Sequence, residues 1–167
     1  TLLTSNIDER DHEFITEDRT EEGFYKLDPK QSFERCVVRG IAYAPYCDLL
    51  WMETSTPDLK QAKRFAEAIR KEYPTQMLAY NCSPSFNWRA NLDEKDIINF
   101  QDAIGEMGYK YQFITLAGFH SLNYNMFDLA FKYNKVGMPA FCELQDKEFE
   151  AEMGTKEYDF ENFGPKD

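Results

Sequence analysis

An amide, a thiol and two hydroxyls follow one another at Asn81, Cys82, Ser83 and Ser85, inside the stretch Met77–Trp88 that reads MLAYNCSPSFNW. Met77, Leu78 and Ala79 suit a short buried strand, and the polar residues begin where that strand should end. Amides and hydroxyls are costly to bury unpaired, so such a strand end takes up either water or a polar ligand. Pro84 stiffens the segment between the two serines. The same composition is also that of an ordinary turn. What favours a site is recurrence. The bulky run DLLWME ends in Glu53-Thr54-Ser55-Thr56, and Thr115 lies near the end of the aromatic and β-branched run YKYQFITL. Neutral donors and acceptors of this kind suit the oxygens of a carboxylate or hydroxy acid. Glu53 has the chemistry of a general base, of a group reaching a metal's water shell, or of a hydrogen-bonded structural acid. His12 and His120 stand apart without ligand-like spacing, which argues against zinc, and His120 reads as structural. Cys82 has no base near it in sequence and reads as a packing residue. Trp51 and Trp88 read as core or lid aromatics.

The elements that must position these groups alternate. A dense charged run, Asn6–Glu22, is expected to be a solvated loop with room to act as a flap. Asp28-Pro29 has the form of a helix start, with Phe33, Cys36, Val37 and Ile41 as its apolar stripe. DLLWME (Asp48–Glu53) predicts a strand. A helix capped at Thr56 then presents Leu59, Ala62, Phe65, Ala66 and Ile69. Gln76–Asn81 predicts the second strand. The third helix starts at Asp93, buries Ile97, Phe100, Ile104 and Met107, and stops at Gly108. Tyr109–Leu116 predicts the third strand. A fourth helix carries Leu122, Met126, Leu129, Ala130 and Tyr133 and is broken at Gly137-Met138-Pro139. Ala140–Met153 predicts a last helix before a polar tail. Strands recurring about every 30 residues, each followed by a helix, predict an α/β fold with a parallel sheet. Ligand groups then gather at the carboxyl ends of the strands. Three strands do not close a (β/α)8 barrel, which needs about 250 residues. The expectation is a partial barrel, its last three or so βα units, with carboxyl-terminal helices: residues 1–153 as one body and 154–167 as a tail.

Composition narrows the partners. The 167 residues carry a formal net charge of −11, which lacks the basic footprint of a nucleic-acid binder. No apolar run reaches the length of a membrane span. The four cysteines contain no CxxC and read as free thiols in a reducing compartment. No GxGxxG follows a predicted strand, so dinucleotide binding has no support. A start at Thr1 rather than Met is expected of a chain cut from a longer one.

Three long motifs, APYCDLLWMETSTPDL, MLAYNCSPSFNW and YQFITLAGFHSLNYNMFDLA, together resemble the carboxyl-terminal part of isocitrate lyase, in the isocitrate lyase and phosphoenolpyruvate mutase superfamily. The resemblance runs from Thr1 to about Met153. It implies a (β/α)8 barrel, a homotetramer that exchanges carboxyl-terminal helices, and Mg²⁺-dependent cleavage of isocitrate to glyoxylate and succinate in the glyoxylate bypass. Carried over to this sequence, it makes Asn81, Ser83 and Ser85 the group that binds the succinate carboxylate. Thr115 and Trp51 become further substrate contacts, and Glu53 lies near the metal's water shell. The family's Lys-Lys-Cys-Gly-His segment is not in this sequence, and the resemblance puts the Mg²⁺-binding aspartates outside it too. The isolated chain is therefore expected to be inactive. A 2-methylisocitrate lyase and a non-catalytic binding or assembly fragment are the alternatives. The cytoplasm is the expected compartment, with the glyoxysome second.

Overall fold

A computed structural model describes residues 3–4, 13–155, 158–159 and 164–165. In chain order the elements are β1 (Leu3–Thr4), β2 (Ile15–Arg19), β3 (Tyr25–Leu27), α1 (Ser32–Tyr43), β4 (Leu49–Trp51), α2 (Leu59–Glu72), β5 (Met77–Asn81) and α3 (Trp88–Asn91). They continue with α4 (Glu94–Glu106), β6 (Tyr109–Phe113), α5 (Ala117–Val136), α6 (Met138–Thr155), β7 (Tyr158–Asp159) and β8 (Gly164–Pro165). The chain divides into two compact units, Thr1–Thr115 and Leu116–Asp167.

The first unit holds an antiparallel sheet in the order β1-β3-β2 and a parallel sheet in the order β4-β5-β6. Alternation along the parallel strands decides what each face does. Leu50, Leu78, Tyr80 and Tyr109 pack into one core with Phe65 and Ile69 of α2 and Phe100 and Ile104 of α4. Burying each such large side chain stabilises the fold by roughly 1.5–3 kcal/mol. α1 joins this layer by close approach. Gly40 is buried, and a Cβ there would lie 2.8 Å from the Ile69 side chain and 3.1 Å from the Phe65 ring. Tyr109 is held from below as well, its hydroxyl donating to the Ala62 carbonyl at 2.9 Å. Burial pushes that phenol's pKa up, so it stays a neutral donor at any ordinary pH. The opposite face of the sheet exposes Leu49, Trp51, Met77 and Tyr111.

The parallel α/β arrangement agrees with the sequence expectation, and the individual boundaries differ in instructive ways. The charged run is not a loop throughout: Ile15–Arg19 is a strand paired with Tyr25–Leu27. Its charges at Glu17, Asp18 and Arg19 face solvent, and Ile15 and Thr16 are half-buried. Pairing with β3 outweighs the local charge density. α1 begins at Ser32 rather than at Pro29, because the Asp28 carboxylate accepts from the Lys30 amide in a turn that precedes the helix. α2 is capped by Asp58 and not by Thr56. Asp58 has extended backbone and accepts from the amides of Lys60 and Gln61 at 2.8 and 3.0 Å. Asp58→Ala is therefore expected to lower stability by about 1–2 kcal/mol, and Thr56→Ala by much less, in paired thermal melts. Equal losses at the two positions would contradict the assignment. α4 behaves as expected, with Asp93 as its cap and Gly108 at φ +107 beyond its end. His12 lies outside the described residues. The expected tail does too, apart from the end of α6 and the pairing of β7 with β8.

In the second unit α5 and α6 are successive helices separated at Gly137, whose φ is +70. Lys132 reaches Asp128 at 2.9 Å and Glu143 of α6 at 3.3 Å, and Glu143 also pairs with Lys147. Leu122, Phe127, Phe131 and Phe141 are exposed.

Candidate functional site

Parallel pairing brings the carboxyl ends of β4, β5 and β6 to one side of the sheet. Trp51 lies opposite Ala79, and Ala79 opposite Tyr111. One irregularity matters here. Leu78 pairs with Tyr109 but Ala79 pairs with Tyr111, so β6 carries one extra residue, Lys110. Its side chain donates to the Gly105 carbonyl near the end of α4 at 2.9 Å. Every residue after Lys110 changes faces because of it. Tyr109 points into the core, whereas Tyr111, Phe113 and Thr115 share the open face with Ala79 and Asn81. Glu53 continues the same face from Leu49 and Trp51.

The three strand ends then meet through hydrogen bonds. The Thr115 hydroxyl donates to Asn81 Oδ1 at 2.6 Å, and Asn81 Nδ2 donates to Glu53 Oε1 at 3.4 Å. Asn81 is 9% exposed, so this line fixes which way its amide points. With the carbonyl taken by Thr115, what Asn81 has left to offer is N–H. Beyond it, Ser83 and Ser85 approach with their Oγ atoms 2.7 Å apart, and the Ser85 amide donates to Ser83 Oγ at 3.2 Å. Ser83 is buried and Ser85 exposed, with the chain turned over by Pro84. Two hydroxyls that share one hydrogen bond retain a further proton for an incoming acceptor. The cluster is thus a set of donors beside one carboxylate, Glu53, which is exposed. Such an arrangement can donate to the oxygens of an anion.

Of the residues singled out from sequence, Glu53, Asn81 and Thr115 are brought into direct contact, and Ser83 and Ser85 form a bonded pair next to them. Trp51 stands on the same face one turn of the pleat below Glu53, half exposed, its ring edge-on to Phe113 at 5.2 Å. Cys82 points the other way. It is 7% exposed among core residues, and burial raises its thiol pKa, which suits packing and not nucleophilic attack. His120 is exposed in the first turn of α5. Among the described residues no group of three or more His, Cys, Asp or Glu could hold a metal ion. No helix among them is long and apolar enough to cross a membrane. Two contributors were not legible: the extra residue Lys110, because YKYQFITL reads as one unbroken strand, and the Trp88 indole, which donates to the Ser83 carbonyl at 3.0 Å.

Parallel βα units with polar groups at the strands' carboxyl ends define an α/β protein whose donors stand where such folds commonly take ligands. The model of the isocitrate lyase family matches residues 16–159. The chain is 60% identical over 151 residues to the isocitrate lyase of Corynebacterium efficiens, an alignment covering 90% of this chain and 35% of that protein. It is 59% identical over 152 residues to isocitrate lyase 1 of Mycobacterium tuberculosis, covering 91% and 35%. A match at 54% over 153 residues to the bifunctional glyoxylate cycle protein of Caenorhabditis elegans covers 90% of this chain and 16% of that one. The chain belongs to the isocitrate lyase family. It spans about 35% of the length of these bacterial relatives.

Proposed function

We propose that this chain is the carboxyl-terminal portion of an isocitrate lyase, and that it supplies the residues that hold the carboxylate of the succinate half of the substrate. The observation that carries this is the bonded line Glu53–Asn81–Thr115 with the Ser83–Ser85 pair beside it, all at the carboxyl ends of parallel strands. Together with its 60% identity to an isocitrate lyase, this favours isocitrate as the substrate. The exposed apolar face of the parallel sheet supports a larger (β/α)8 barrel in which other strands cover it. The exposed aromatic residues of α5 and α6 support an oligomer, a homotetramer by family resemblance. The cytoplasm is the compartment this reading favours.

The reaction is a retro-aldol cleavage. The hydroxyl of isocitrate loses its proton, its oxygen electrons form the glyoxylate carbonyl, and the C–C bond breaks. The electron pair of that bond passes to the succinate carbon and delocalises into the adjoining carboxylate before a proton is returned to carbon. Negative charge on the carboxylate oxygens therefore increases in the transition state. Ser83, Ser85 and the Asn81 amide are donors held in place at one strand end, and preorganised donors stabilise such developing charge strongly. Thr115 holds Asn81 in the donor orientation, and Trp51 walls the same face. Among the described residues no group of three or more His, Cys, Asp or Glu could hold Mg²⁺ directly. The Mg²⁺ ligands and the proton-donating cysteine are assigned to parts of the parent outside this chain, with Glu53 facing the metal's water shell.

Because the Lys-Lys-Cys-Gly-His segment is not in this sequence, the purified 167-residue chain is expected to form no glyoxylate from isocitrate and Mg²⁺ above a heat-killed control. The full-length protein carrying it is expected to do so readily. Activity in the isolated chain, or none in the full-length protein, would overturn the proposal.

A further inference from the structure

Nothing in the sheet holds the serine pair. The ladder between β5 and β6 reaches only to the Cys82 amide, which donates to the Phe113 carbonyl at 2.8 Å. Beyond it, among the described residues, the backbone of Ser83 is fixed from one point, its carbonyl, which accepts from the Phe86 amide at 3.2 Å and from the Trp88 indole at 3.0 Å. The Phe86 bond only closes the local turn. The indole bond reaches outward, because the Trp88 ring is seated edge-on against Phe100 of α4, with centroids 5.0 Å apart. Phe86 lies 5.7 Å from the same ring and is itself 4% exposed. From these contacts we infer that Trp88 is a positioning residue for the oxyanion site: its N–H ties the Ser83 backbone to α4 and so sets where the Ser83 and Ser85 hydroxyls stand. The assignment deepens the proposed function and rests on it for its effect on rate, but the tie itself is a property of this chain.

An indole nitrogen is a donor only, so the bond is removed without disturbing the ring by replacing Trp88 with benzothienylalanine, which has sulfur in place of N–H. Trp88→Phe is the simpler counterpart. Both variants are made in the full-length enzyme and checked by melting temperature. The direct readout is amide hydrogen exchange at Ser85 and Phe86, the two amides that bond to Ser83. Exchange at both is expected to quicken by about fivefold, the scale of one lost neutral hydrogen bond, while core amides such as Leu78 stay unchanged. The second readout is kcat/KM for isocitrate in two backgrounds. A loss of about fivefold is expected with the serines present, and less than about twofold in Ser83→Ala/Ser85→Ala, because residues acting through a shared group are not additive. A merely structural tryptophan would cost the same in both backgrounds. Unchanged exchange at Ser85 and Phe86 in the benzothienylalanine variant would refute the tie, and an equal loss in both backgrounds would refute its positioning role. If the double serine variant alone kept the full rate, the oxyanion reading of the site would fail instead, and the exchange result would stand by itself.

Discussion

Replacing either Ser83 or Ser85 with alanine in the full-length enzyme is expected to lower kcat and kcat/KM for isocitrate together, each by about a hundredfold. That magnitude, about 3 kcal/mol, is the typical loss on removing one donor from an oxyanion-binding site. Both parameters fall together because the bonds strengthen as charge builds on the carboxylate, so the transition state loses more than the bound substrate. The two losses should not multiply. Their Oγ atoms lie 2.7 Å apart, so removing one hydroxyl also releases the other from its partner. Cys82→Ser is the control between them in sequence. Its side chain faces the core, so a hydroxyl there is expected to lower the melting temperature and leave the rate close to normal. Near-normal rates in both serine variants would remove the site assignment. A hundredfold loss in a well-folded Cys82→Ser would mean that the opposite side of the strand end meets the substrate.

The second large effect is on stability. Phe100→Ala is expected to destabilise the chain by about 3–5 kcal/mol in urea unfolding followed by far-ultraviolet circular dichroism. Phe100 is 2% exposed, and its ring meets Tyr80 of β5 at 5.5 Å and Trp88 at 5.0 Å. Truncation leaves a cavity where helix α4, the central strand and the serine loop come together. Phe100→Leu keeps most of the volume and is expected to cost less than half as much. A loss under about 1 kcal/mol for alanine would show that the core closes over the gap and that α4 is not the support described.

How far these features could be read from sequence depended on their range. The parallel α/β order was legible because amphipathic helices such as Leu59–Glu72 and apolar strands such as Met77–Asn81 carry their own periodicities. Asn81, Ser83 and Ser85 were legible because they fall where one of those periodicities stops. Asp58 was missed as the cap of α2 because Thr56 has an equally good capping side chain two residues earlier. Only the backbone geometry, extended at Asp58, separates them. The strand Ile15–Arg19 was missed because its evidence lies in its partner, Tyr25–Leu27, and not in its own charged sequence. The bond from Trp88 to the Ser83 carbonyl left no mark in the sequence, since a backbone acceptor has no residue type.

The extra residue in β6 has a consequence for what variation this site can absorb. A strand counts in twos, so the bulge at Lys110 works as a parity bit: with Lys110 looped out of the pairing Thr115 stands beside Asn81, and with Lys110 paired against Ala79 Ile114 would stand there instead. Deleting Lys110 would only restore regular pairing and leave Thr115 where it is. What lineages cannot change freely is the count after the bulge, since one residue gained or lost between Tyr111 and Thr115 would turn the threonine to the other face. Relatives that keep the threonine should keep the spacing from Tyr111 to Thr115, whether or not a bulge residue precedes it.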